Sequence, residues 1–126
     1  MKINNPRDIK KTLEIYEYYD GPLSSLIEFK DGRKAFREIV DYTKESLGTT
    51  ELVIMCSDEE IQTFKKQELS MKKFIIEKTQ KKEVILWNHK KGTSLLVELK
   101  DIEFILKNMN NEYKFKDTSG DWKDYC

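Results

Sequence analysis

The sequence predicts an α+β fold: one domain with a largely antiparallel sheet of five or six strands and two or three helices packed on one face. Three observations point there. Short apolar segments, some alternating and some continuous, recur along the chain in the manner of strands. Two of the gaps between them carry hairpin chemistry, Asp31-Gly32 and the stretch 88–92 closed by Gly92. A helical block opened by a Ser-x-x-Glu signal separates the fourth strand from the fifth. Hairpin connections thus dominate, which favours an antiparallel sheet with its helices segregated to one side.

Residues 1–11 read as a polar lead-in. Residues 12–18 alternate, with Leu13 and Ile15 on one side and Glu14, Tyr16 and Tyr18 on the other, and predict a first strand whose tyrosine side faces solvent or a ligand. Asp20-Gly21-Pro22 breaks it, since proline lacks the amide donor and glycine permits backbone angles that other residues avoid. Residues 23–29 predict a second strand and, after Asp31-Gly32, residues 34–41 a third, with Ala35, Arg37, Ile39 and Asp41 opposite Phe36, Glu38 and Val40. Residues 43–50 read as a loop. The continuous run 51–56 predicts a strand covered on both faces.

Ser57-Asp58-Glu59-Glu60 then opens a helix. Ser57 is placed to cap the Glu60 amide while Glu60 reaches back to the Ser57 amide, with Cys56 and Ile61 at the staple positions. The acids before Glu60 also complement the positive end of the helix dipole, so this acidic run has a structural explanation. The helix is expected to reach about residue 66, and a second, capped by Ser70, spans 71–78. Strands over 83–87 and 93–99 follow. The spacing of Leu95, Leu99, Ile102, Leu106 and Met109 leaves two readings open: a strand then a helix from Asp101, or one helix over 94–109; the first is preferred. Residues 111–126 carry Tyr113, Phe115, Trp122 and Tyr125 and read as a loosely packed tail folding back on the domain.

The 126 residues suit a single domain, 1–126. With 38% hydrophobic and 37% charged side chains, a small core under a heavily solvated surface is expected. Charge balances at 23 basic against 23 acidic, but unevenly. Residues 1–63 hold 9 basic and 13 acidic side chains, residues 64–91 hold 9 and 3, and residues 92–126 hold 5 and 7. The middle is a basic island that an anionic partner could use, although solvated helix faces would give the same composition. The two cysteines suggest no disulfide framework: Cys56 ends an apolar run and Cys126 is the final residue. With no secretory signal and no apolar run near the roughly 20 residues a bilayer requires, a cytoplasmic protein without membrane contact is expected.

The segment Tyr18-Tyr19-Asp20-Gly21-Pro22-Leu23, followed by a strand, a glycine hairpin, a strand ending in Val40-Asp41 and the apolar strand before Ser57-Asp58-Glu59, resembles a small uncharacterised domain of bacteria and their phages. The likeness runs over about residues 15–76. It implies a fold and a bacterial or phage setting, and no reaction.

Catalytic parts are scarce. His89 is the single histidine, in a polar turn. The cysteines are far apart with no CxxC, unlike a zinc site. The five glycines sit in separate turns, unlike a phosphate loop. The 23 acids offer many carboxylate pairs, none singled out by spacing. No cofactor is expected. Two binding surfaces are candidates. One is Tyr16, Tyr18, Tyr19 and Asp20, because tyrosines supply stiff contact area with a polar tip. The other is Lys72, Lys73, Trp87, His89, Lys90 and Lys91, where lysines beside an aromatic could hold a phosphate and stack a base. The expected function is a non-catalytic binding protein acting on a protein partner, an inhibitor, immunity or anti-defence factor. The alternatives are a binder that sequesters a nucleotide signal and a carboxylate-dependent hydrolase. Duplex DNA is not an expected partner; a homo-oligomer through an exposed sheet edge is an option.

Overall fold

The computed structural model describes residues 3–18, 22–40, 50–67 and 71–106, with the side chains of 17, 18, 22, 23, 67, 71 and 72 left aside. After a 3₁₀ turn at Pro6–Asp8 come β1 (Ile9–Tyr18), β2 (Pro22–Phe29), β3 (Lys34–Ile39) and β4 (Thr50–Cys56). Helices α1 (Asp58–Gln67) and α2 (Met71–Gln80) follow, then β5 (Val84–Asn88), β6 (Thr93–Leu96) and α3 (Leu99–Leu106). The six strands form one sheet in the order β1-β2-β3-β4-β5-β6, and every pair is antiparallel. The fold is α+β.

Local chemistry accounts for the turns. Between β2 and β3 the Phe29 amide donates to the Arg33 carbonyl, leaving a three-residue loop in which Gly32 takes φ +92°. That is the left-handed residue a loop of this length requires. Asp31 accepts from the Arg33 amide and guanidinium, and these bonds hold its carboxyl down at about 2. Ser57 and Glu60 form the reciprocal capping box, each side chain meeting the other's amide at 3.1 Å, with Cys56 and Ile61 buried at the staple positions. At the end of α2 the amides of Lys82 and Glu83 bond the carbonyls of Thr79 and Lys78, a Schellman closure. The residue made left-handed by it is Lys82, at φ 60°, where glycine is usual.

The two sheet faces are buried differently. On one face Leu26, Phe36, Leu52 and Ile54 meet Ile61 and Phe64 of α1, Phe74 and Ile75 of α2, and Ile102 and Leu106 of α3. Phe36 is the hub: its ring meets Phe64 and Phe74 edge-on, at 5.9 Å each, and these two stack on one another at 4.0 Å. Lys78 is buried where α1, α2 and the start of β5 converge, its ammonium 2.7 Å from Glu60 and 3.0 Å from Glu83. Burial opposes that charge, and the two carboxylates more than offset it, so its pKa is raised. On the opposite face lie Ile27, Phe29, Ala35, Val53, Ile85 and Trp87, with Ile9 packed against them.

Three expectations need correction. Residues 3–11 are not a solvated lead-in: β1 begins at Ile9, and Asn4 is fully buried, its backbone carbonyl accepting the Trp87 indole N–H at 2.9 Å. Tyr16 does not face outward. The β1–β2 pairing has four register shifts, so period-two alternation fails and the successive residues Ile15 and Tyr16 are both 7% exposed. Tyr16 joins the helix-side core, its hydroxyl donating to Glu14, which in turn pairs with Lys65 of α1. Residues 93–106 form a strand followed by a helix, the preferred reading, but with other bounds: the strand ends at Leu96 and the helix begins at Leu99 rather than Asp101. Asp41, the expected end of the third strand, lies outside the described residues.

Candidate functional site

The face away from the helices carries an embedded charge cluster drawn from three strands. Glu51 opens the apolar stretch of β4 and stands opposite Trp87 of β5. Its side chain is 3% exposed, and a buried carboxylate needs partners. Arg37 Nε of β3 donates to one carboxylate oxygen at 2.9 Å, and His89 Nε2, just beyond β5, lies 2.7 Å from the other. The Arg37 guanidinium also sits 5.7 Å from the centre of the Trp87 ring, while Phe29 and His89 approach that ring edge-on. The indole is fully buried by this arrangement, with its N–H committed to Asn4.

Above the cluster is an open cleft of about 550 Å³ between the 3₁₀ turn and the β5–β6 hairpin. Asn5 and Arg7 form one wall, and His89, Gly92, Thr93 and Ser94 the other. Gly92 takes φ +67° to close the hairpin. The volume is in the range of small-molecule sites. Within its wall Asn5 Oδ1 is buried and has no hydrogen-bond partner among the described residues.

A second feature lies at β6, the edge strand of the sheet among the described residues. Leu95 and Leu96 of β6 are 60% and 37% exposed, and Leu99 and Phe104 of α3 are 49% and 79% exposed. Leu96 and Leu99 share a groove of about 500 Å³ with Thr79, Gln80 and Lys82 at the end of α2.

The residues singled out from sequence are thereby separated. His89, Lys90 and Lys91 lie together in the β5–β6 turn, and Trp87 lies beneath them, but its buried ring has no face to offer a base, which corrects the stacking expectation. Lys73 is exposed on α2, in the layer covering the sheet face opposite Trp87, and so belongs to a different element from the turn lysines. Lys72 belongs to α2, with its side chain outside those described. Tyr16 is in the core; Tyr18 pairs with Pro22 through its backbone, its side chain outside those described, and Tyr19 and Asp20 lie outside the described residues. Sequence reasoning passed over Arg37, Glu51, Asn5 and Arg7. The one local signal was Glu51 itself, an acid in a strand read as covered on both faces. Cys56 is inert, since burial pushes its thiol up to about 12.

Among the described residues no group of three His, Cys, Asp or Glu is placed to hold a metal ion, and no helix is long and apolar enough to cross a membrane. Comparison with known proteins finds no family model, no curated protein and no solved structure that matches the chain.

Proposed function

We propose that the protein is a non-catalytic binding protein that acts by contact with another protein, as a bacterial or phage accessory factor of the inhibitor, immunity or anti-defence kind. The observation that carries this is the unequal treatment of the two sheet edges. Strand β1 is guarded as edges usually are: Lys10 and Lys11 are exposed along it and four register shifts distort it. Strand β6, Thr93-Ser94-Leu95-Leu96, has no charge, no register shift in its pairing with β5, and two exposed leucines. Such an edge accepts an added strand.

The occupant that fits is an extended apolar segment of a partner. Four residues span only about 14 Å of ladder, so main-chain hydrogen bonds alone would bind weakly. The leucine-lined groove beside α3 supplies the pocket that side chains of the added strand need for affinity. The bacterial or phage setting rests on the resemblance of the segment around Tyr18 to Leu23.

The test is purification from producing cells followed by native mass spectrometry, comparing wild type with Leu95→Lys and with Lys10→Glu at the guarded edge. A stoichiometric protein partner is expected with wild type and Lys10→Glu and lost with Leu95→Lys. A partner kept by Leu95→Lys removes the edge from the reading, and a wild-type chain that carries no foreign protein removes the reading itself. A homodimer sensitive to Leu95→Lys would reassign the edge to self-association.

A further inference from the structure

The β6 edge is uncharged itself but carries charge of opposite sign beyond its two ends. We infer that the partner segment adds antiparallel to β6 with a fixed polarity: a basic residue first, then two consecutive apolar residues, then an acidic end. This rests on the reading of β6 as the docking edge. Lys90 and Lys91 stand exposed in the turn before Thr93 and form no ion pair with described acids. Glu98 and Asp101 follow Leu96, and Lys100 offsets one of them through an exposed pair with Glu98 at 3.3 Å. The edge is thus positive where β6 starts and negative past its end. Antiparallel addition continues the pairing of the whole sheet. It carries the added chain from Glu98 toward Lys91, so complementary charge there is basic at the start and acidic at the finish.

The backbone supplies the attachment. The Val97 amide donates to the Val84 carbonyl at 2.9 Å, toward β5. In an antiparallel pair the backbone groups of alternate residues turn the other way, so Ser94 and Leu96 present theirs away from β5. Neither makes a hydrogen bond on that side with another described residue. Leu95 stands across from Leu86, which packs against the helix-side core, and Leu96 across from Ile85 of the opposite face. The two exposed leucines therefore lie on different faces of the sheet, and two successive residues of the added strand meet them. A second copy of this chain fits less well. In antiparallel self-pairing, the register that brings Lys91 level with Glu98 sets Leu95 against Ser94 and Leu96 against Thr93, so each leucine meets a hydroxyl residue. Sliding the copies to pair the leucines takes Lys91 off Glu98. A foreign segment meets both demands at once.

Fluorescence anisotropy of labelled, end-blocked peptides titrated with the full chain tests this. Lys-Thr-Ile-Val-Thr-Thr-Ser-Glu-Glu carries the inferred order, and Glu-Thr-Ile-Val-Thr-Thr-Ser-Lys-Lys exchanges its charges. The first is expected to bind about tenfold tighter, since three exposed pairs turn from attractive to repulsive in the second. The gap should close in about 1 M salt. Lys90→Glu combined with Lys91→Glu should reverse the preference, Leu95→Lys should abolish binding of both peptides, and Lys10→Glu should change neither. Equal binding of the two peptides, or the opposite preference, lost with Leu95→Lys, overturns the inference and leaves the edge reading standing. Binding of neither at millimolar concentration also overturns it, and the partner sought by native mass spectrometry then decides the edge reading on its own. A dimer of the free protein that is sensitive to Leu95→Lys and excludes both peptides assigns the edge to a second copy and overturns the inference as well.

Discussion

Replacing Glu51 with Gln removes one charge from the centre of the sheet and changes almost no volume. Each charge-assisted hydrogen bond to this carboxylate contributes about 1.5–3 kcal/mol. Removing one member of a buried ion pair costs about 3–5 kcal/mol. Two features lower the figure here: the side chains of Arg37 and His89 are 28% and 35% exposed and regain water, and the amide oxygen of Gln still accepts from Arg37. A loss of about 2–3 kcal/mol follows, and at about 3–5 °C per kcal/mol for a domain of this length that is a drop of about 6–15 °C in Tm. Glu51→Leu, which keeps no acceptor, should cost about 3–5 kcal/mol. Urea denaturation followed by circular dichroism and by the fluorescence of Trp87 in a Trp122→Phe background reads the change. Glu98→Gln, which breaks an exposed pair with Lys100, is the control and should stay within about 0.5 kcal/mol. If Glu51→Gln also stays within that margin, the cluster is not the structural centre described above.

Lys82→Gly should stabilise the fold by about 0.5–1 kcal/mol in the same assay, because glycine relieves the left-handed lysine that closes α2 while giving back part of the gain through a freer unfolded chain. Lys78→Met, which keeps the stem in place, should destabilise less than Lys78→Ala, which adds a cavity next to Glu60 and Glu83; equal losses would mean the buried stem contributes nothing. Stability measured against pH should fall on both sides of neutrality. On the acid side, Asp31 is held near 2 by Arg33, and although burial pushes the Glu60 carboxyl up, Lys78 and the Ser57 amide bring it below its ordinary value. Both groups stabilise above their unfolded values, near 4, and that contribution is lost as pH falls toward 2. On the alkaline side Lys78 is raised above 10.5, so its contribution is whole below that value and lost above it. Cys56 resists ionising until about 12, so unfolding gains ground from about 9 upward. Cys56→Ala should flatten the part of the alkaline limb between those values, and an unaltered limb would refute its assignment to this thiol.

What the sequence disclosed was whatever is decided within a few residues. The Ser57–Glu60 box, the Gly32 hairpin and the order of elements depend on neighbours in the chain, and each is where local chemistry puts it. The burial of Tyr16 depends on register shifts against β2, and alternation inside β1 carries no trace of them. Asn4 owes its place to an indole 83 residues away, and Glu51 meets partners 14 and 38 residues distant. Arg7 and Asn5 become part of a cleft only once that lead segment is pinned to Trp87. The grouping of the basic island is likewise not set by neighbours in the chain: its lysines fall on α2 and in the β5–β6 turn, two separate elements.

The strict succession of the strands carries a consequence for how the chain is assembled during synthesis. Each strand's partner is the one emitted just before it, so no strand must wait for a distant segment to appear, and the α1–α2 excursion returns beside the strand it left. Pairing between sequence neighbours keeps loop closure short and favours rapid folding for a sheet protein. The sheet can therefore be laid down progressively, with Phe36 already in position before Phe64 and Phe74 arrive to close over it.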